Sequence, residues 1–292
     1  RLVGSEMCIR DRISVYGFII VISCFLQAMF GVVQFFGFFQ ISTTLWVTGS
    51  FDNPAGFAAC LCAGFPFVGF LLSDSNKYIR YVGGLIGFVI VIAVILSQSR
   101  AGIMSIAFIC FILLNMKFFH KRWVKYLSLL CFALLLSGCY WMKKDSADGR
   151  LLIWRCSVSM VKDAPWLGHG IGSFEARYMD YQADYFRQYG LNRYSMLADN
   201  VKHPFNEYLG VLLNFGFVGL LMILALITLL IYCYKKHPCA EKRIAFCSLI
   251  SIGVFSFFSY TFTYPFTWIV TFLCIIILTK EYLSLIHISE PT

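Results

Sequence analysis

Long apolar runs separated by short polar breaks dominate this chain. A spanning helix needs about 20 mainly apolar residues, and eight stretches approach that length: residues 13–40, 55–73, 81–97, 101–116, 124–142, 207–234, 244–262 and 264–279. The pattern predicts an all-α, polytopic membrane protein with about eight transmembrane helices. Five of them fall in residues 13–142 and three in residues 207–282, with residues 143–206 as one long helical loop between.

That loop has its own periodicity. GRLLIWRCSVSMVKD, from Gly149, reads as a short helix stopped at Ala164, because the residue before Pro165 avoids α geometry. WLGHGIGS then turns the chain, and Phe174, Tyr178, Tyr181, Tyr185 and Tyr189 follow at spacings of three or four, the stripe of an amphipathic helix. Such a stripe fits a helix lying along the bilayer with its tyrosines in the interfacial belt; aromatic rings facing water would instead stack on sugars.

Charge gives orientation. Lys and Arg in short loops stay on the cytoplasmic side. Lys77 and Arg80, then Lys117, Lys121, Arg122 and Lys125, then Lys235, Lys236, Lys242 and Arg243, and finally Lys280 fall in alternate breaks. The opposite breaks are residues 41–54, without Lys or Arg, residues 98–102, with Arg100 alone, and the turn near Tyr264. Residues 143–204 carry nine Lys/Arg and seven Asp/Glu but exceed the length at which charge governs translocation. They are expected outside, so the protein is placed in a bacterial inner (cytoplasmic) membrane with its polar chemistry facing the periplasm.

The composition agrees: 59% apolar, 13% charged and a mean hydropathy of +0.75 lie outside the soluble range. The net charge of +9 then speaks of topology, and no nucleic acid is expected as a partner. The ends are set aside. One choice of codons for residues 1–12 (RLVGSEMCIRDR) has a reverse complement that reads LSLIHISEPT, the sequence of residues 283–292. Two ends encoding one element on opposite strands are expected to be an adapter artefact, leaving Cys8 and His287 without meaning and N-terminal helices missing. Of the other cysteines nearly all lie in apolar stretches as small hydrophobes; Cys156 and Cys139 offer one outer disulfide at most.

Four polar clusters converge on the outer side: Asp52 and Asn53 in SFDNPAGF, Arg100 in SQSRAG, Arg150 in GRLLIW, and HPFNEYL from His203. His203 precedes Pro204, favoured at the first position of a helix, so it is expected near the N-cap of the sixth span. His203, Asn206, Glu207 and Gly210 would then share one face, beside backbone N–H groups suited to a phosphate or pyrophosphate. Arg100, held near the membrane, needs an anionic partner, or snorkels to lipid headgroups; Arg150 reads equally as a solvated loop charge. Arg155 and His169 are further substrate-binding candidates. GHGIG matches no nucleotide-binding spacing and reads as a turn lining the site, and no zinc-like spacing occurs, so no metal is assigned.

DNPAGFA at residues 52–58, SRAG at 99–102, GRLLIW at 149–154, DAPWLGHGIGSF at 163–174 and HPFNEYLGVLLNFGFVGL at 203–220 resemble, in order and spacing, the O-antigen ligase family. That superfamily comprises lipopolysaccharide ligases, Wzy-type polysaccharide polymerases and protein O-oligosaccharyltransferases. The resemblance implies a glycosyltransferase that moves a glycan from an undecaprenyl-pyrophosphate carrier to an acceptor hydroxyl, without cofactor, metal or nucleotide sugar. The acceptor would be lipid A core, a growing glycan or a protein, with membrane lipids as surroundings. It also implies that Arg100 and Arg150 hold the donor pyrophosphate, that His203 activates the acceptor, and that Asn206, Glu207 and Asn53 complete the site. Pro204 and Phe205, between the histidine and Asn206-Glu207, depart from the family pattern. The reading of another class is a transporter or lipid flippase using the same groups, which predicts ionisable side chains deep in the spans; here they are almost absent.

Overall fold

The computed structural model describes residues 2–38, 47–118, 122–142 and 144–288. The break expected at residues 41–54 is therefore described only from Val47, and His120, Lys121, Lys143 and the Cys139 side chain lie outside the described residues. Among the described residues the chain is helical, with no strand.

The helices are α1 (Leu2–Phe35), α2 (Pro54–Gly64), α3 (Val68–Leu72), α4 (Lys77–Leu96), α5 (Arg100–Phe118), α6 (Arg122–Met142), α7 (Lys144–Asp163), α8 (Ser173–Tyr189), α9 (Glu207–Lys236), α10 (Ala240–Phe258) and α11 (Pro265–Ile288). The apolar runs anticipated from sequence are mainly helical among the described residues, but residues 55–73 divide into α2 and α3 and the run 244–262 outlasts α10, which ends at Phe258. By length and composition four stretches can cross a membrane: Ser14–Phe35, Pro54–Leu72, Lys77–Leu96 and Glu207–Lys236. Arg100–Asn115 and Pro265–Lys280 are shorter apolar helices.

The chain divides into two compact units. The first comprises Arg1–Leu114, Leu230–Phe255 and Thr261–Thr292. At its centre is α2, every residue of which is buried from Gly56 to Gly64. Pro66 has no N–H to offer the Cys62 carbonyl four residues back. The Ser251 hydroxyl of α10 donates to that carbonyl at 2.7 Å, and Ser248 donates to the Ala63 carbonyl at 2.7 Å. Ser105 of α5 bonds Ser251 in turn at 2.8 Å. Small polar side chains thus join apolar helices where lipid offers no competing hydrogen bond.

The second unit comprises Asn115–Leu229 and Ser256–Tyr260. Its core is built by α7 and α8: Leu152, Ile153, Cys156, Met160, Phe174 and Tyr178, joined by Tyr194 and Leu213. α7 begins before the expected start, because Gly149 lies inside the helix and Asp145 sits in the first turn, where the helix dipole favours an anion. It ends at Asp163, ahead of Ala164-Pro165 as expected.

The aromatic stripe of α8 corrects the belt reading. Phe174 and Tyr178 are 5% and 1% exposed, and Tyr181 and Tyr185 pack on the same core; only Tyr189 is open, at 62%. The stripe faces α7 because α7 offers a complementary apolar face. The Tyr178 hydroxyl, inside that core, accepts a bond from Gln182 at 2.8 Å. Cys156 is a free buried thiol whose pKa burial pushes up to about 11, and the side chain of Cys139, its expected partner, lies outside the described residues.

Candidate functional site

The second unit gathers Arg150, His203, Asn206, Glu207, Arg155 and His169. One face of α7 organises the first two. Arg150 and Trp154 are four residues apart and so neighbours on the helix surface. Arg150 donates from Nη1 to the Phe258 carbonyl at 2.8 Å, while Trp154 donates from Nε1 to the Pro204 carbonyl at 3.0 Å. One residue pair therefore pins two separate chain segments, one carrying His203 and the other Tyr260.

Those segments meet through their rings. His203 stacks on Tyr260, with centroids 4.7 Å apart and planes at 23°. Phe205 meets the same tyrosine edge-on at 5.3 Å. The Arg150 guanidinium lies 5.2 Å from the Phe205 ring centroid, a cation–π arrangement. A continuous path of contacts thus runs from the imidazole through Tyr260 and Phe205 to the guanidinium.

His203 is not at the start of α9, contrary to the expected N-cap. The residue before a proline is steered to extended geometry, and Phe205 takes φ 52°, a left-handed backbone that breaks any helix. α9 begins instead at Glu207, where the Asn206 side chain accepts from the Leu209 N–H at 3.0 Å. Asn206 is the cap. The shared face of His203, Asn206, Glu207 and Gly210 does not form, although Asn206, Glu207 and Gly210 keep their helical register.

The imidazole is half-buried, and neither ring nitrogen has a hydrogen-bond partner among the described residues. Burial lowers its pKa below the ordinary 6.5, with Lys202 acting in the same direction and Glu175 against it. Neutral, accessible imidazole is the form suited to accept a proton.

His169 and Arg155 are placed differently. Arginine can only donate, so the 2.9 Å bond from Arg177 makes His169 Nδ1 an acceptor, and Nε2 donates to the Met160 carbonyl at 2.7 Å. Both nitrogens hold the WLGHGIGS turn in place. Arg155 lies over Tyr194 at 5.2 Å and bonds the Tyr185 hydroxyl at 3.4 Å. These bonds tie α7 to α8 rather than to the histidine cluster.

Asn53 and Arg100 belong to the first unit. Asn53 caps α2, its Oδ1 accepting from the Gly56 N–H at 2.8 Å and the Tyr264 hydroxyl at 3.0 Å. The SRAG motif starts α5: Ser99 accepts from the Gly102 N–H at 3.3 Å, Arg100 is the first helical residue, and Gly102 packs so closely that a Cβ there would stand 2.9 Å from Ala58. Arg100 is half-buried at the positive end of that helix.

Sequence reasoning missed Tyr260, Trp154 and Phe205 as parts of this arrangement. Trp154 was within reach as the helical neighbour of Arg150; Tyr260 follows a run of serine and phenylalanine and carries no local signal. Residues 85–224 match the family model described as O-antigen ligase. That stretch holds Arg100, Arg150, Trp154, Arg155, His169, His203, Asn206 and Glu207. No curated protein matches the chain.

Proposed function

From the premise that an O-antigen ligase domain occupies residues 85–224 of this membrane protein, we propose that it transfers a glycan from an undecaprenyl-pyrophosphate carrier to an acceptor hydroxyl on the periplasmic side of the inner membrane. Membrane glycosyltransfer by the ligase and polymerase family is the general activity. The carrier, the acceptor and the roles of individual residues are our reading of it.

In that reading His203 takes the proton of the acceptor hydroxyl. The freed oxygen pair forms the new bond to the anomeric carbon of the donor sugar as the bond from that carbon to the pyrophosphate oxygen breaks. The carrier pyrophosphate leaves with the electron pair, and Arg150 stabilises the charge it gains. The observation that carries the proposal is the double clamp by Arg150 and Trp154, which links a neutral imidazole to a guanidinium through Phe205 and Tyr260. Arg100 is assigned to pyrophosphate binding on its SRAG motif and its place at a helix N-terminus. Asn206 supports the site as the cap of α9, Asn53 is assigned to substrate binding on its DNPAGF motif, Glu207 is assigned to acceptor binding, and lipid A core is the first acceptor to try, ahead of a carrier-linked glycan or a protein.

The test is transfer from purified undecaprenyl-pyrophosphate glycan to each of these three acceptors in membranes containing wild type, His203→Ala or Arg150→Ala. Transfer to one acceptor that His203→Ala abolishes at equal protein level supports the reading and identifies the acceptor. Activity unaffected by either substitution overturns the assigned roles.

A further inference from the structure

The turn between α7 and α8 is apolar and open at once. No Asp, Glu, Lys or Arg occurs from Ala164 to Phe174, and Trp166, Leu167 and Ile171 are 70%, 75% and 84% exposed. Leaving such side chains in water forgoes about 1.5–3 kcal/mol each relative to burial.

The backbone of this turn is fastened to α9 at a break in that helix. Gly216 takes φ 62° and ψ −159°, outside helical geometry. Across the break the Phe217 N–H donates to the Pro165 carbonyl at 2.8 Å and the Val218 N–H to the Trp166 carbonyl at 3.2 Å. In return the His169 N–H donates to the Leu213 carbonyl at 2.7 Å and the Gly170 N–H to the Asn214 carbonyl at 3.1 Å. The strands of contact are so close that a Cβ on Gly168 would stand 2.6 Å from the Asn214 backbone, and one on Gly216 would collide with Trp166.

This attachment sets a depth. Beyond the break, the 20 residues 217–236 run about 30 Å at 1.5 Å per residue, matching the hydrocarbon core of a bilayer. Lys235 and Lys236 mark their far end. Gly216 stands at the start of that helix, so the break and the turn fastened to it fall at the boundary between acyl chains and headgroups on the side away from Lys235 and Lys236. Non-helical backbone at such a depth must have its polar groups satisfied, which the exchange of N–H and carbonyl groups between turn and helix supplies. The exposed surface is also continuous with that of the span: Trp166 packs edge-on to Phe217 at 6.2 Å, and Phe215, Phe217 and Val218 are themselves open.

We propose that residues 165–172 form a re-entrant turn that enters the leaflet at the Glu207 end of α9, with Trp166, Leu167 and Ile171 in contact with lipid acyl chains just below the headgroups. The partner is the bilayer itself, and the turn anchors the α7–α8 subdomain to it independently of any substrate. Tryptophan suits this depth, having an apolar body and one polar N–H.

The experiment uses the full chain in phosphatidylcholine nanodiscs with an environment-sensitive fluorescent amino acid replacing Leu167, Ile171 or, as a reference, Leu191, which is 89% exposed beyond α8. Loss of emission to a nitroxide on the acyl chain, with protection from aqueous iodide, is expected at positions 167 and 171, and the reverse at position 191. A second measurement avoids the label: brominated lipids should quench wild-type tryptophan emission more than that of Trp166→Phe. Iodide quenching at positions 167 and 171 equal to that at position 191 overturns the proposal. Shielding from both quenchers overturns it as well, since protein would then cover the turn.

Discussion

At the residue scale the imidazole of His203 is the most constrained prediction. Burial and Lys202 both disfavour the imidazolium, so the folded pKa lies below 6.5, and the neutral, proton-accepting form predominates above it. If His203 is the base, log kcat/KM falls on acidification with a midpoint below 6.5, and Lys202→Glu raises that midpoint by replacing a repelling charge with an attracting one. A pH–rate profile in nanodiscs checks both signs, and an acid limb unchanged in Lys202→Glu removes the assignment. His203→Ala should cost about 10²–10⁴ in kcat, the usual worth of a general base. Tyr260 acts on this histidine through its ring. Tyr260→Phe keeps the stack and should retain activity, whereas Tyr260→Ala frees the imidazole and should lower kcat; equal loss in both variants would transfer the role to the hydroxyl. His203 and Arg150 of this candidate cluster were legible in sequence because each sits in a short motif. Tyr260 was not, since its partner lies 57 positions earlier in the chain and no local periodicity encodes such a contact.

At the scale of elements, apolar spacing located the helical stretches, of which four are long and apolar enough to cross a membrane, but missed the division of residues 55–73 into α2 and α3 and could not say what each face meets. The α8 stripe shows the limit. Its period of three to four fits an interfacial helix and a core helix equally well, and only the matching face of α7, with Leu152, Cys156 and Met160 buried against Phe174 and Tyr178, decides for the core. The start of α9 is a second case: Pro204 looked like a first helical residue, yet Phe205 and the capping bond of Asn206 move the start to Glu207. The break at Gly216 left only an ordinary-looking glycine inside an apolar run. Its positive φ and its contact with the Trp166 backbone leave no room for a side chain. Gly216→Ala should therefore destabilise the second unit by at least about 2 kcal/mol, read as a lower melting temperature in detergent. Gly210→Ala, in the helical part of α9 where an added Cβ would meet only Pro204 at 3.7 Å, serves as the comparison; equal melting of the two variants would show that the break is not required.

At the scale of the whole molecule, what sequence offers is a charge pattern acting across a barrier. Lys235 and Lys236 end α9, and Lys242 and Arg243 open α10, while the other end of α9 begins with Glu207 after a loop of mixed charge. These ends carry the expected orientation, because the cost of carrying a compact cationic cluster through a bilayer falls on short loops and not on a long folded segment. The break between α9 and α10 is short, with His237, Pro238 and Cys239 all exposed, and so belongs to the class that charge controls. An epitope inserted at Pro238 should be reached by antibody only in permeabilised cells, and one inserted at Leu191 in intact spheroplasts. The reverse pattern would put His203 on the side of the cell where a nucleotide-sugar donor is available, and the lipid-carrier reading would fall with it.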